Sequence, residues 1–163
     1  MKLYISNKFF SLRGNSYVRD ENSNEIFKVK GKFFSFTNKK FIKDLNDKTI
    51  YMVRNKFFRF FLNSAYIYDG DNNKILKITR KFSFKSNYKI TGYTSDFRID
   101  GDFWGWDFKI YKANELIGSI TRRIDVFKDS FLLECNDEKD AALLVAFVIA
   151  IDNIVDNNQD SAN

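Results

Sequence analysis

Lys8-Phe9-Phe10-Ser11-Leu12 returns as Lys32-Phe33-Phe34-Ser35-Phe36, as Lys56-Phe57-Phe58-Arg59-Phe60 and as Lys81-Phe82-Ser83-Phe84, with the lysines 24, 24 and 25 residues apart. Between these segments Asp20, Asp44 and Asp69 recur at spacings of 24 and 25. Each aspartate closes one aromatic-rich run: Tyr17-Val18-Arg19, Phe41-Ile42-Lys43 and Tyr66-Ile67-Tyr68. Each also precedes a second run: Ile26-Phe27-Lys28-Val29, Ile50-Tyr51-Met52-Val53 and Ile75-Leu76-Lys77-Ile78. A degenerate copy stands at Ile117-Gly118-Ser119-Ile120, leading into Arg122-Arg123. A fixed period of this length marks one supersecondary unit used several times.

The polar stretches Asp20-Glu21-Asn22-Ser23-Asn24, Asp44-Leu45-Asn46-Asp47 and Asp69-Gly70-Asp71-Asn72-Asn73 are made of residues that accept turn geometry, so each unit reads as a hairpin. Short strands with turns between them at this spacing predict an antiparallel sandwich or barrel. Alternate strand residues share a face, which sets Phe27, Val29 and Gly31 against Lys28 and Lys30. Under the 24-residue shift Val29 matches Val53 and Lys30 matches Arg54, so the units fill equivalent places in one sheet. The 19 phenylalanines and 8 tyrosines suit pleated strands, and the chain holds no proline to interrupt them.

The last element breaks the pattern. From Asp137 to about Asn158 the period is helical, with Asn136 or Asp137 as cap and Glu138 and Asp140 near the positive end of the helix dipole. Residues 141–151 are apolar on every side. Such a helix is buried in protein or in lipid. A bilayer needs about 20 such residues, and acidic side chains bracket this run, so the expected place is inside a wide β-barrel, as a plug roughly 16 Å long.

Together the Lys-Phe-Phe-Ser units, Gly101-Asp102-Phe103-Trp104-Gly105 and the apolar terminal helix resemble the LURP-one-related family, over about residues 1–157. That family is grouped with the tubby C-terminal domain and the phospholipid scramblases. The resemblance implies one domain, residues 1–157: a mainly β, closed, 12-stranded antiparallel barrel around a central hydrophobic helix. Residues 158–163 would then be a polar tail. It implies nothing about activity, since the bacterial members it resembles have no settled function. Scramblases carry a proline-rich region, a cysteine cluster and a calcium segment, all missing from this sequence. Tubby proteins bind phosphoinositides through paired basic residues, and no segment here matches that motif.

The sequence offers little for catalysis. There is no histidine, which removes the usual general base and the commonest metal ligand. The single cysteine, Cys135, reads as a core residue. Asp69-Gly70-Asp71-Asn72-Asn73 opens like a calcium loop, but Lys74 and Arg80 stand where glycine and glutamate are required, so a hairpin turn is expected instead. Asp96, Asp100, Asp102 and Asp107 flank Phe103-Trp104-Gly105-Trp106, which raises a hydrolase with paired carboxylates as the third reading. No catalytic residue, cofactor or metal is assigned.

One cysteine and no cleavable leader predict a cytoplasmic protein. Residues 1–136 hold 26 basic and 15 acidic side chains, and residues 137–163 hold 1 and 6. A body at +11 suggests an anionic partner, although a general excess of lysine and asparagine would give the same charge with no partner. The leading expectation is a non-enzymatic binding module meeting anionic phospholipid, at the inner membrane face, through Lys39, Lys40, Lys43, Arg122 and Arg123, all expected to be exposed. The alternative is a soluble scaffold with a protein partner. Nucleic acid is not expected, because the lysine-aromatic units recur around the barrel instead of lining one groove, and the oligomeric state is left open.

Overall fold

The computed structural model describes residues 1–6, 15–31, 39–55, 64–80, 88–102, 107–125 and 128–159. The four Lys-Phe-Phe segments and Phe103-Trp104-Gly105-Trp106 lie outside them. The strands are β1 (Lys2–Ser6), β2 (Asn15–Asp20), β3 (Glu25–Gly31), β4 (Lys40–Lys43), β5 (Thr49–Asn55) and β6 (Ser64–Asp69). They continue as β7 (Lys74–Arg80), β8 (Tyr88–Gly92), β9 (Phe97–Asp102), β10 (Asp107–Lys112), β11 (Glu115–Asp125) and β12 (Lys128–Cys135). A 3-10 turn, Glu138–Asp140, then leads into α1 (Ala141–Gln159).

All twelve strands form one antiparallel sheet in the order β8-β7-β6-β5-β4-β3-β2-β1-β12-β11-β10-β9. It is an up-and-down meander closed by the β1–β12 ladder, where Leu3 faces Leu133 and Ile5 faces Phe131. β8 and β9 touch but share no ladder among the described residues, so the nearly closed barrel has a seam between them. Helix α1 fills the lumen: every residue from Ala141 to Ile154 is buried. Asp137 caps the 3-10 turn by accepting from the Lys139 N–H. Phe147 packs against Phe97, ring centroids 6.0 Å apart. Among the described residues no helix is long and apolar enough to cross a membrane.

The repeat has a structural meaning at two places. In each unit the aspartate folds its turn: the Asp20, Asp44 and Asp69 N–H groups donate to the carbonyls of Asn24, Lys48 and Asn73 at 3.0, 3.0 and 2.9 Å. Their Oδ1 atoms accept from the same residues' N–H groups at 2.8, 2.8 and 2.7 Å. The fourth turn position is left-handed each time, with φ of 67° at Ser23, 66° at Asp47 and 67° at Asn72. The Asp69 carboxylate is therefore consumed by its turn, and the calcium-like spelling is a hairpin.

The second place is a bulge. The registers slip between Val18 and Arg19, Ile42 and Lys43, and Ile67 and Tyr68, leaving Ile26, Ile50 and Ile75 without a direct partner. Ile117 is skipped in the same way between β10 and β11. The extra residue bends the strand and sharpens its twist, which helps the sheet to curl around α1. The isoleucine that opens each repeated run is thus the bulge residue.

Side-chain hydrogen bonds from Asn24 and Asn73 hold the Asp20 and Asp69 carboxyls below the usual carboxylate range. A depressed folded-state value means stability that is present above the unfolded value and lost as pH falls through the folded one. Burial pushes the Cys135 thiol up to about 11. With no histidine, the melting temperature is expected to stay level from about pH 6 to pH 9 and to fall below about pH 4. Asp69→Asn should make that acid fall shallower; an unchanged acid limb in thermal melts would contradict the role of the turn carboxylates.

Candidate functional site

The outer face of β5–β8 gathers cations and tyrosines. In β5 Val53 faces inward and Arg54 outward, opposite Tyr66. The bulge at Ile75 allows both Lys74 and Lys77, three residues apart, to face outward: Lys74 lies opposite Tyr68 and Lys77 opposite Tyr66. Lys89 and Thr91 of β8 extend the same face, opposite Thr79 and Lys77.

Aromatic rings hold these cations in place. The Lys74 Nζ stands 5.0 Å from the Tyr66 centroid and 5.2 Å from that of Tyr93, and Lys77 Nζ is 5.7 Å from Tyr66. Arg54 Cζ lies 4.7 Å from the Tyr68 ring, while Arg54 Nε and Nη2 donate to Tyr68 Oη at 3.1 and 2.6 Å. None of Arg54, Lys74, Lys77 and Lys89 is ion-paired with a described carboxylate. A ring orients a cation without cancelling its charge, so the wall keeps its positive field.

Elsewhere on the barrel three cations meet carboxylates of their own or neighbouring strands. Lys2 meets Glu134, Arg19 meets Glu25 and Arg98 meets Asp100. Residues 50–95 hold 9 basic and 2 acidic side chains; the remainder of the chain holds 18 and 19. Residues 1–49, which build β1–β4, are also basic, with 11 basic and 5 acidic side chains, while residues 96–163 hold 7 and 14, so the positive charge lies in the β1–β8 half of the chain.

The five basic residues expected to meet lipid are not brought together. From β4, which carries Lys40 and Lys43, to β11, which carries Arg122 and Arg123, is five steps in the strand order, about 24 Å along the sheet. The expectation that all five are exposed is corrected at Lys40, which is 7% exposed. It is in phase with Ile42, so strand alternation turns it inward. Arg122 also takes an inward position, opposite the buried Phe131, and is half-buried, as are Lys39 and Lys43; Arg123 is exposed. Along α1 the buried residues turn polar at Asp152 and Asn153, where Asn55 Nδ2 donates to the Asn153 carbonyl at 3.2 Å.

The aspartates around Trp104 do not gather either. Asp96 lies beyond the end of β9 opposite to Asp102, and Asp100 is paired with Arg98. Asp102 and Asp107 are partners across the β9–β10 ladder, and Asp107 Oδ1 accepts from Thr121 Oγ1 at 3.4 Å. Among the described residues no group of three or more His, Cys, Asp or Glu is placed to hold a metal.

A family model described as LURP-one-related matches residues 1–152. The uncharacterized protein YxjI of Bacillus subtilis is 26% identical over 163 residues, covering 99% of this chain and 98% of that protein. The X-ray structure of a protein from Arabidopsis thaliana superposes with a TM-score of 0.67 at 18% identity, covering 94% of this chain and 90% of that one. That likeness is one of fold.

Proposed function

The chain belongs to the LURP-one-related family, and from that premise we propose that it is a non-enzymatic binding module whose β5–β8 wall docks on anionic phospholipid, at the inner face of a membrane. The observation that carries this reading is the row of Arg54, Lys74 and Lys77, positioned by tyrosines, with Lys89 on the same face, all four unpaired with described carboxylates. Tyrosine has an apolar ring and a polar tip, which suits the boundary between headgroups and water. Lysine stems can lie along the rings while their ammonium groups reach phosphate. Against an enzyme stand the missing histidine and the scattered aspartates flanking residues 103–106, of which Asp100 is paired with Arg98.

Each basic residue near an anionic surface contributes about 1 kcal/mol at moderate salt. Combining Lys74→Ala, Lys77→Ala and Lys89→Ala should therefore weaken binding to vesicles rich in phosphatidylserine roughly a hundredfold. All three are surface substitutions that leave the core intact. Rising salt should weaken the parent protein in the same direction. The measurement is co-sedimentation with vesicles of graded anionic content. Equal recovery of the parent on neutral and anionic vesicles at low salt would sink the proposal, and undiminished binding by the triple variant would remove the wall from it.

A further inference from the structure

Away from the wall, the turn joining β4 to β5 is built differently from its two sister turns. Three ammonium groups converge on it: Lys30 Nζ lies 2.8 Å from Asp47 Oδ1 and Lys28 Nζ 3.7 Å from Asp47 Oδ2. Lys43 Nζ donates to the Asp47 carbonyl at 3.0 Å, and Lys28 Nζ to the Leu45 carbonyl at 2.8 Å. In the sister turns the place of Asp47 is taken by the neutral Ser23 and Asn72 at almost the same φ. Under the repeat shift Lys28 and Lys30 correspond to Met52 and Arg54 at the Asp69 turn, and Lys43 to Arg19 and Tyr68, so neither sister turn has all three cations. The backbone of this turn therefore does not need Asp47; the lysines around it do.

We propose that Lys28, Lys30 and Lys43 form an anion site for a phosphate monoester, and that Asp47 is its built-in occupant, which an incoming phosphate displaces. The match between cradle and occupant is incomplete. One carboxylate faces three cations, one ammonium is hydrogen-bonded to it, and the other two spend hydrogen bonds on main-chain carbonyls. A tetrahedral dianion offers more oxygens and twice the charge, and reaches all three cations. The hydrogen bond from Lys30, assisted by Lys28 and Lys43, holds the Asp47 carboxyl below its ordinary range, so the occupant remains charged at neutral pH. The site stands apart from Lys74, Lys77 and Lys89, and its failure would leave the wall untouched.

Asp47→Asn separates this from an ordinary surface ion pair, because Asn72 shows that asparagine fits the left-handed position. Titration calorimetry with inorganic phosphate near pH 7.5 is expected to show at least tenfold tighter binding by Asp47→Asn than by the parent. Adding Lys30→Ala to that variant should abolish the gain. A gain below twofold, or one that survives Lys30→Ala, overturns the site. Vesicles of equal charge density identify the source of the phosphate. A gain by Asp47→Asn on phosphatidic acid, a monoester, but not on phosphatidylserine supports a lipid headgroup. A gain with free phosphate and with neither lipid supports a soluble ligand. Equal gains on both lipids mean that charge alone is read and refute a built site.

Discussion

Phe147→Asp is expected to leave the protein unfolded or aggregated at room temperature. Phe147 is fully buried in the lumen and packs against Phe97. A carboxylate there costs several kcal/mol or forces its own protonation. The lost ring costs about 3–5 kcal/mol in addition. Domains are stable by only about 5–15 kcal/mol. Thermal melting of the purified variant is the test. A midpoint within a few degrees of the parent would refute the helix as a buried plug and would suit a helix lying on a surface.

The next largest effect is expected at Gly118, where β11 lies tight against both β12 and the plug. A Cβ there would stand 2.3 Å from the Glu134 carbonyl oxygen of β12 and 2.5 Å from Leu144 Cδ1 of α1. The strand has no free side to yield toward, since Gly118 is buried with Ile110 and Cys135 as cross-strand neighbours. Gly118→Ala should cost about 1–3 kcal/mol, read as a melting point lower by roughly 3–10 °C. Gly118→Val should cost more. Leu144→Ala relieves the contact with the helix but not that with the carbonyl, so the double variant should be more stable than the sum of the two single losses implies. Strict additivity would show that Leu144 is not part of the obstacle.

The barrel was readable because its signals are local and repeated. Asp20, Asp44 and Asp69 each announce a turn that the structure folds by the same hydrogen bonds, and the apolar run 141–151 permits only burial. The twelve-stranded antiparallel barrel and its helix follow the family resemblance, with the β8–β9 seam as the added detail. The basic surface was much less readable, because it depends on register. Lys40 and Lys43 are neighbours in sequence, yet alternation sends one inward and the other outward. Lys74 and Lys77 share a face only because of the bulge at Ile75. Simple alternation would have set Lys74 beside Leu76, and nothing local in the sequence distinguishes a bulged isoleucine from a paired one. The signal that was available is regional and coarse: residues 1–95 hold 20 basic and 7 acidic side chains against 7 and 14 in residues 96–163, which marks a half of the barrel and not one wall.

The β8–β9 seam bears on how such a molecule can assemble. A barrel whose first and last strands are zipped together encloses its centre, yet its plug is the last element of the chain. If the remaining neighbours were also laced by hydrogen bonds, α1 would have to be threaded into a finished cylinder, a route that protein chains avoid. Here the interruption falls in the middle of the chain. The meanders β1–β8 and β9–β12 can form as two open leaves, each from contacts near in sequence, which are the fast ones to make. The helix can then settle between them, and the leaves shut around it like a clasp, with the connection 93–96 between β8 and β9 as the hinge and the β1–β12 ladder, whose strands are far apart in sequence, as the closure. The slow step of folding is accordingly expected to be the docking of the helix with closure of the leaves, after the hairpins have formed.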